Sequence, residues 1–219
     1  MNAFSTRLVL AWLVSVGAAC TSAPIRYYTL TPPSDKTPAF SQTPPAIDVR
    51  VVHIPPQVNR SELMIRTGPV EVMLLENERW ASPVNDEFKN ALGLEVLRRL
   101  GRRTGLRPVF TTLTLVIDVQ HLEAELGRHA LLQASWSARL SGPGRPHGSA
   151  WAATCAFRAD EEIHNGYAEM VEGYQRDIAA LADAIVAVLP TSASDIGAPC
   201  PTSMAGSAGG SGPTDQKGQ

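Results

Sequence analysis

The amino-acid sequence predicts an α+β fold, a two-layer sandwich in which two principal helices pack on one face of a mainly antiparallel sheet. Three long segments in the second half of the chain alternate apolar and polar residues with a period of two, which is typical of half-buried strands. Two other segments repeat apolar residues at spacings of three and four, which indicates amphipathic helices. Short stretches rich in Gly and Pro separate these elements and favour antiparallel neighbours.

Apolar and β-prone residues predict four short strands in the first part of the chain, at residues 27–30, 47–54, 63–67 and 70–75. The last two strands flank Gly68-Pro69, a turn signal, and are therefore expected to form a hairpin. Met64 and Met73 are expected in the strand core, and a stripe that handles lipid is the alternative.

A first helix is expected to begin near Ser82, a good N-cap, with Pro83 at its first position and two acidic residues in its first turn. Glu95 should interrupt its buried apolar stripe, so the buried face is expected to shift toward Val96 and Leu100. Gly101 or Gly105 is expected to end the helix.

A three-stranded antiparallel meander is predicted from residues 109–119, 130–140 and 149–157, followed by a long amphipathic helix over residues 167–189 that Pro190 ends. One face of the meander is polar by pattern. This face is either solvated or a subunit interface, and it carries Thr112, Thr114, Asp118, Gln133 and Ser135.

Composition excludes several function classes. The 219 residues contain 19 Lys+Arg and 21 Asp+Glu, so a basic surface for nucleic acid is not expected. Three cysteines are too few for a disulfide-dense scaffold. The common motifs of serine hydrolases, P-loop nucleotide-binding proteins, zinc proteases and dithiol redox proteins do not occur, and the five histidines are dispersed. No catalytic residue, cofactor or metal is therefore expected.

The N-terminus has the order of a secretory signal peptide. Arg7 precedes an apolar stretch at residues 8–16, which is too short to span a bilayer as a helix. Gly17-Ala18-Ala19 and then Cys20 resemble the lipobox of bacterial lipoproteins, in which the chain is cut before an acylated cysteine. Gly17 departs from the usual aliphatic residue, and cleavage by ordinary signal peptidase to a soluble periplasmic protein is the alternative. Thr21, in place of Asp, points to the outer membrane by the same resemblance.

The chain is thus divided into a signal peptide, a lipidated tether, a folded domain and a disordered Gly/Ser/Pro tail, at residues 1–19, 20–26, 27–190 and 191–219. Cys155 is interpreted as a buried small apolar residue. A disulfide to Cys200 is the alternative, and it requires the tail to fold back onto the domain.

Four segments together carry a family resemblance: Tyr27-Tyr28-Thr29-Leu30, the Val-rich strand from Ile47 to Pro55, the run from Arg60 to Arg66, and Arg79-Trp80-Ala81-Ser82-Pro83. The last segment is similar to an R-W-A-x-P entry to the first helix. In order and spacing these segments resemble the ABC-type transport auxiliary lipoproteins, including the PqiC-like lipoproteins of the paraquat-inducible intermembrane transport system. The resemblance covers residues 20–190 and departs at Ser82, where the family often has Glu.

The resemblance implies a non-enzymatic lipoprotein, anchored through Cys20 to the outer membrane and facing the periplasm. It would dock a periplasmic mammalian-cell-entry (MCE) domain protein of an ABC-type system that moves phospholipid. Arg66, Arg79 and Trp80 are candidate partner contacts. The alternative role is structural and is favoured for Trp80, which would fill the core at the helix entry. A homo-oligomer that matches an MCE ring is a further expectation.

Two other functions remain open on the sequence. A secreted hydrolase with an unrecognised site would require a cleft in which a histidine such as His121 or His129 meets a carboxylate or a serine. A structural envelope lipoprotein without a transport role is the other alternative.

Overall fold

The computed structural model describes residues 23–33, 46–102, 112–142, 151–190 and 197–200. The elements in chain order are β1 (Arg26–Tyr28), β2 (Ala46–His53), β3 (Glu62–Arg66), β4 (Val72–Trp80), α1 (Val84–Arg102), β5 (Thr112–Glu125), β6 (His129–Ser141), β7 (Ala152–Glu162) and α2 (Tyr167–Val188).

The α+β class and its two principal helices are confirmed. The described strands form two mixed sheets, a three-stranded sheet in the order β1-β4-β3 and a four-stranded sheet in the order β2-β5-β6-β7. β1 runs parallel to β4 and β2 runs parallel to β5, whereas the other pairs are antiparallel. The sequence predicted only one sheet, because both parallel pairs join strands that are distant in the chain and are marked by no turn signal.

The meander β5-β6-β7 matches the predicted alternation, but β5 extends to Glu125, beyond the predicted end. The register of β5 against β6 shifts between Val119 and His121. Before this irregularity the odd-numbered residues of β5 are buried, and after it Leu122 and Ala124 are buried. The predicted strand ends at Val119 because a β-bulge reverses which positions face the core.

Helix α1 keeps its buried stripe through Glu95, which corrects the expected interruption. Arg98 donates to the Glu95 carboxylate at 2.8 Å, and Arg99 pairs with the same carboxylate. Both neighbouring guanidinium groups compensate the buried charge, so Glu95 is only 9% exposed. Arg99 also donates to Asp183 at 2.9 Å, which joins α1 to α2. Gly101 lies within the helix, and Gly105 lies outside the described residues.

The core lies between the four-stranded sheet and the two helices. Both helices contact this sheet and each other. Its largest fully buried side chains include Trp136 on β6, Phe88 and Leu92 on α1, and Met170 on α2. The two helices therefore form the second layer that the sequence predicts. Among the residues described, no helix is long and apolar enough to cross a membrane.

A disulfide joins Cys155 on β7 to Cys200. The N–H of Ala198, two residues before Cys200, donates to the carbonyl of Val188 at the end of α2, at 3.3 Å. Residues 197–200 are therefore attached to the domain, which corrects their assignment to a disordered tail. The cross-link supplies contacts that the composition of the tail does not reveal. The remainder of the tail, residues 191–196 and 201–219, lies outside the described residues.

Candidate functional site at the three-stranded sheet

The first described strand is held firmly in the fold. The backbone of Tyr28 accepts a hydrogen bond from Ala81 N at 2.7 Å, and the side chain of Leu30 is fully buried. Arg26 donates from Nε to the Glu78 carboxylate at 2.9 Å, and its guanidinium lies 5.8 Å from the centre of the Tyr167 ring. β1 is thus tied to β4 and to the start of α2.

Glu87 joins the end of β1 to the start of α1. One of its carboxylate oxygens accepts hydrogen bonds from Thr29 Oγ1 at 2.7 Å and from the backbone N–H of Leu30 at 2.9 Å. The other accepts from Ser82 Oγ at 2.7 Å. The sequence pattern predicts Glu87 in the first turn of the helix, where it interacts with the helix dipole, but it does not predict these hydrogen bonds. Its only sequence signal is the R-W-A-S-P entry that brings Ser82 beside the helix start.

The three candidate partner contacts have different environments. Trp80 is 6% exposed and its ring lies 6.4 Å from that of Tyr174, so it packs in the core, as the structural alternative describes. Arg79 is half-buried and donates to the backbone of Glu76 at 3.2 Å, and its guanidinium lies 3.7 Å from the Glu62 carboxylate.

Arg66 organises the turn between β3 and β4. It donates to the Glu123 carboxylate on β5 at 2.8 Å and to the carbonyls of Gly68 and Pro69 at 3.3 and 3.2 Å. Arg66 is opposite Val72 in the β3–β4 register, whereas Arg79 is opposite Glu62 at the other end of that pairing. The structure therefore does not bring the candidate contact residues together in one cluster.

The hairpin of β3 and β4 ends in exposed apolar side chains, which we call the apolar tip: Val70, Val72, Met73 and Leu74. Their exposed fractions are 98%, 50%, 48% and 39%, respectively. Met73 is expected in the strand core, and this expectation is wrong because the buried positions of β4 begin only at Leu75. The sequence signal was present, since three consecutive apolar residues from Val72 to Leu74 place apolar side chains on both faces of a strand.

Two concave regions offer space for a ligand or a partner, one beside this sheet and one at the edge of the four-stranded sheet. A cavity of about 130 Å³ lies between the hairpin and β5, and its lining includes Val58, Met64, Arg66 and His121. A more open groove of about 310 Å³ lies between β2 and α1. It is lined mainly by Ile47, Val49, Gly93, Leu94 and Leu97, with Lys89 and Asn90.

The histidine and carboxylate positions bear on the hydrolase alternative. His129 Nδ1 lies 3.1 Å from the Asp160 carboxylate, but Arg158 donates to Asp160 at the same distance. Neither His129 nor Asp160 lines the cavity or the groove, whereas His121 lines the cavity without a carboxylate contact of this kind. Within the described part of the chain, no group of three His, Cys, Asp or Glu residues could hold a metal ion.

Cys20, the expected acylation site, lies outside the described residues, six positions before Arg26. Its modification stays a prediction.

Comparison with known proteins places this geometry in a family. The family model for the ABC-type transport auxiliary lipoprotein component matches residues 28–186. A crystal structure of an uncharacterized protein aligns with a TM-score of 0.53 and 18% identity, over 74% of this chain and 97% of that chain. A Xanthomonas campestris protein of the DUF330 family aligns with a TM-score of 0.47 and 15% identity, over 74% of this chain and 92% of that chain.

No curated protein sequence matches this chain. At 18% identity, the first solved structure supports the fold alone. The family match covers more than half of the chain and extends from the last residue of β1 into the last turn of α2. The four segments that carried the resemblance lie almost entirely within this match. The chain therefore belongs to the ABC-type transport auxiliary lipoprotein family.

Proposed function

We propose that the protein is a non-enzymatic, outer-membrane-anchored lipoprotein of an ABC/MCE-type intermembrane lipid transport system, and that it acts by docking the periplasmic MCE protein. The observation that carries this proposal is the family match over residues 28–186, which identifies an auxiliary component of an ABC-type transport system. The outer-membrane location, the MCE partner and the phospholipid cargo are proposals that go beyond family membership.

The short connection between Cys20 and the fold supports a docking role. Arg26 is fixed by Glu78 and lies six positions after Cys20. A fully extended chain of this length spans about 20 Å. Acyl chains at Cys20 supply about 0.8 kcal/mol for each buried CH₂ group, so several chains give stable anchoring. The domain would stay close to one bilayer, which raises its effective concentration for a partner that reaches that membrane.

The groove between β2 and α1 is better suited to docking a partner than Arg66, Arg79 and Trp80 are. β2 is at the edge of the four-stranded sheet, and the groove beside it is mainly apolar with Lys89 at its border. An extended partner segment could pair with this edge and place side chains in the groove. Trp80 is buried, and Arg66 and Arg79 are engaged in contacts within the chain.

Membrane attachment is tested with Cys20→Ala. We expect wild-type protein in the outer-membrane fraction after density separation and the variant in the soluble periplasmic fraction. Mass spectrometry of the mature N-terminus should show an acylated Cys20. A wild-type chain with an unmodified cysteine in the soluble fraction would contradict the anchor.

Docking is tested by capture of the MCE protein encoded beside this gene. We expect wild-type protein to retain it and Leu97→Arg, which places a charge in the groove, to lose it. Arg139→Glu is the matched control, because Arg139 is exposed on β6 outside the groove. Absence of capture by folded wild-type protein argues against docking. A lipid-flux assay in a deletion strain distinguishes the transport role from that of a structural envelope lipoprotein.

A further inference from the structure

We propose that the apolar tip enters the surface of the bilayer to which the protein is anchored, as a second membrane contact beside the acylated cysteine. This inference rests on the proposed acylation of Cys20. It assigns the hairpin a lipid surface as its partner, rather than a second protein.

The tip has the form of a wedge. Val72 and Leu74 lie on one face of β4 and Met73 lies on the other, because side chains alternate along a strand. Val70 is at the turn and is 98% exposed. Val72 also borders the cavity against β5, but apolar area remains exposed on both faces of the hairpin, and such a cluster marks an interaction site. A flat protein surface would cover one face, whereas a lipid layer surrounds both.

The turn is held in one shape before any contact with lipid. Arg66 binds the carbonyls of Gly68 and Pro69, and Thr67 N donates to the carbonyl of Glu71 at 3.1 Å. Arg66 is itself fixed by Glu123 on β5. A preformed tip loses little conformational entropy when it binds, so its exposed apolar area is available for association.

The direction of the chain favours the bilayer as the partner. β1 is parallel to β4, with Arg26 opposite Glu78, so the chain enters β1 from the end of the sheet at which β4 begins. β4 begins at Val72, at the apolar tip. The register of β3 against β4 shifts between Glu62 and Leu63, so the stretch of β4 from Val72 to Arg79 lies opposite only four steps of β3, a distance of about 13 Å. Cys20 lies six positions before Arg26, and an extended chain of this length reaches about 20 Å, which exceeds that distance. The acylated cysteine can therefore lie level with the tip.

The charge in the tip sets the depth of insertion. Glu71 is exposed between Val70 and Val72. A carboxylate is costly in the hydrocarbon region, so the tip is expected at the boundary between the headgroups and the acyl chains.

The test introduces a fluorescent reporter at the tip. Val70→Trp is prepared as the full mature chain in the acylated form, reconstituted in vesicles of phosphatidylethanolamine and phosphatidylglycerol that carry brominated acyl chains. We expect a blue shift and at least twofold quenching of the added emission. Ala187→Trp, at an exposed position on α2, is the matched control and should keep its emission. Unquenched Val70→Trp in anchored protein overturns the inference and leaves the proposed function intact.

A second measurement separates the tip from the anchor. The non-acylated Cys20→Ala chain is mixed with the same vesicles, and the bound fraction is compared with that of Cys20→Ala carrying Val72→Ser and Met73→Ser. We expect a loss of roughly tenfold in the partition coefficient from the lost apolar area. These side chains are exposed, so the far-UV spectrum should be unchanged. Equal partitioning of the two chains overturns the inference. Protection of the tip by the MCE protein, and not by lipid, also overturns it.

Discussion

Asp177 on α2 has a buried carboxyl group that should make the stability of this protein strongly dependent on pH. The residue is 0% exposed, and neither side-chain oxygen has a hydrogen-bond partner among the described residues. Burial raises the pKa of Asp177 to about 9 from an ordinary value of 3.8. Repulsion from Glu161 and Asp160 adds to the shift, and Arg176 partly offsets it. The folded protein therefore binds this proton more tightly than the unfolded chain does.

The sign of the effect follows from proton release on unfolding. Below pH 3.8 the carboxyl group is protonated in both states and stability does not depend on its titration. Between 3.8 and about 9, unfolding releases one proton, so the free energy of unfolding falls by about 1.4 kcal/mol for each pH unit. From about pH 5 to pH 8 the loss from Asp177 is therefore about 4 kcal/mol.

Asp177→Asn removes this titration and keeps the side-chain volume. We expect the stability of the variant relative to wild type to rise by about 4 kcal/mol between about pH 5 and pH 8. Urea unfolding at a series of pH values measures the difference. Asp183→Asn is the matched control on the same helix, because Asp183 is exposed and its pair with Arg99 is expected to contribute less than about 1 kcal/mol. Parallel pH profiles for wild type and Asp177→Asn would refute the reasoning.

Three further substitutions test the packing around the three-stranded sheet and the cross-link. Glu87→Ala should lower the free energy of unfolding, measured by urea denaturation, by about 3 kcal/mol. The substitution removes three hydrogen bonds and leaves the buried backbone N–H of Leu30 unpaired. Cys200→Ser should cost about 4 kcal/mol, because the disulfide to Cys155 closes a segment of 45 residues; wild type under reducing conditions should melt like the variant. Trp80→Ala should cost about 4 kcal/mol as a core truncation, whereas Arg79→Ala should cost less than about 1 kcal/mol. Equal thermal shifts for these last two variants would contradict a core role for the tryptophan.

Periodicity predicted the elements whose packing is local in sequence. The meander and α2 were identified because their core-facing residues recur at the spacing of a strand or a helix. The pairing of β1 with β4 and of β2 with β5 was not identified, since parallel partners far apart in the chain leave no local pattern. The bulge after Val119 was also missed, because it reverses the alternation that defines the strand.

Buried charges and the functional surface were harder to predict than the fold. Glu87 is buried because groups distant in the chain donate hydrogen bonds to it, and Glu95 is buried because neighbouring arginines neutralise it. The polarity of a single glutamate argues against such burial. Trp80 could be placed at the helix entry from the R-W-A-S-P segment alone. The exposure of Val70 could not, because it depends on which parts of the fold pack around the turn between β3 and β4.

The parallel pairing of β1 with β4 also has a mechanical consequence. If the chain is acylated at Cys20, tension between the membrane and the domain enters the fold along the axis of β1. The backbone hydrogen bonds to β4 are then loaded together in shear, along with the Arg26–Glu78 pair and the contacts of Glu87. Strands loaded in this direction must break their bonds at once rather than one after another. The short strand can therefore resist pulling far better than its three residues suggest.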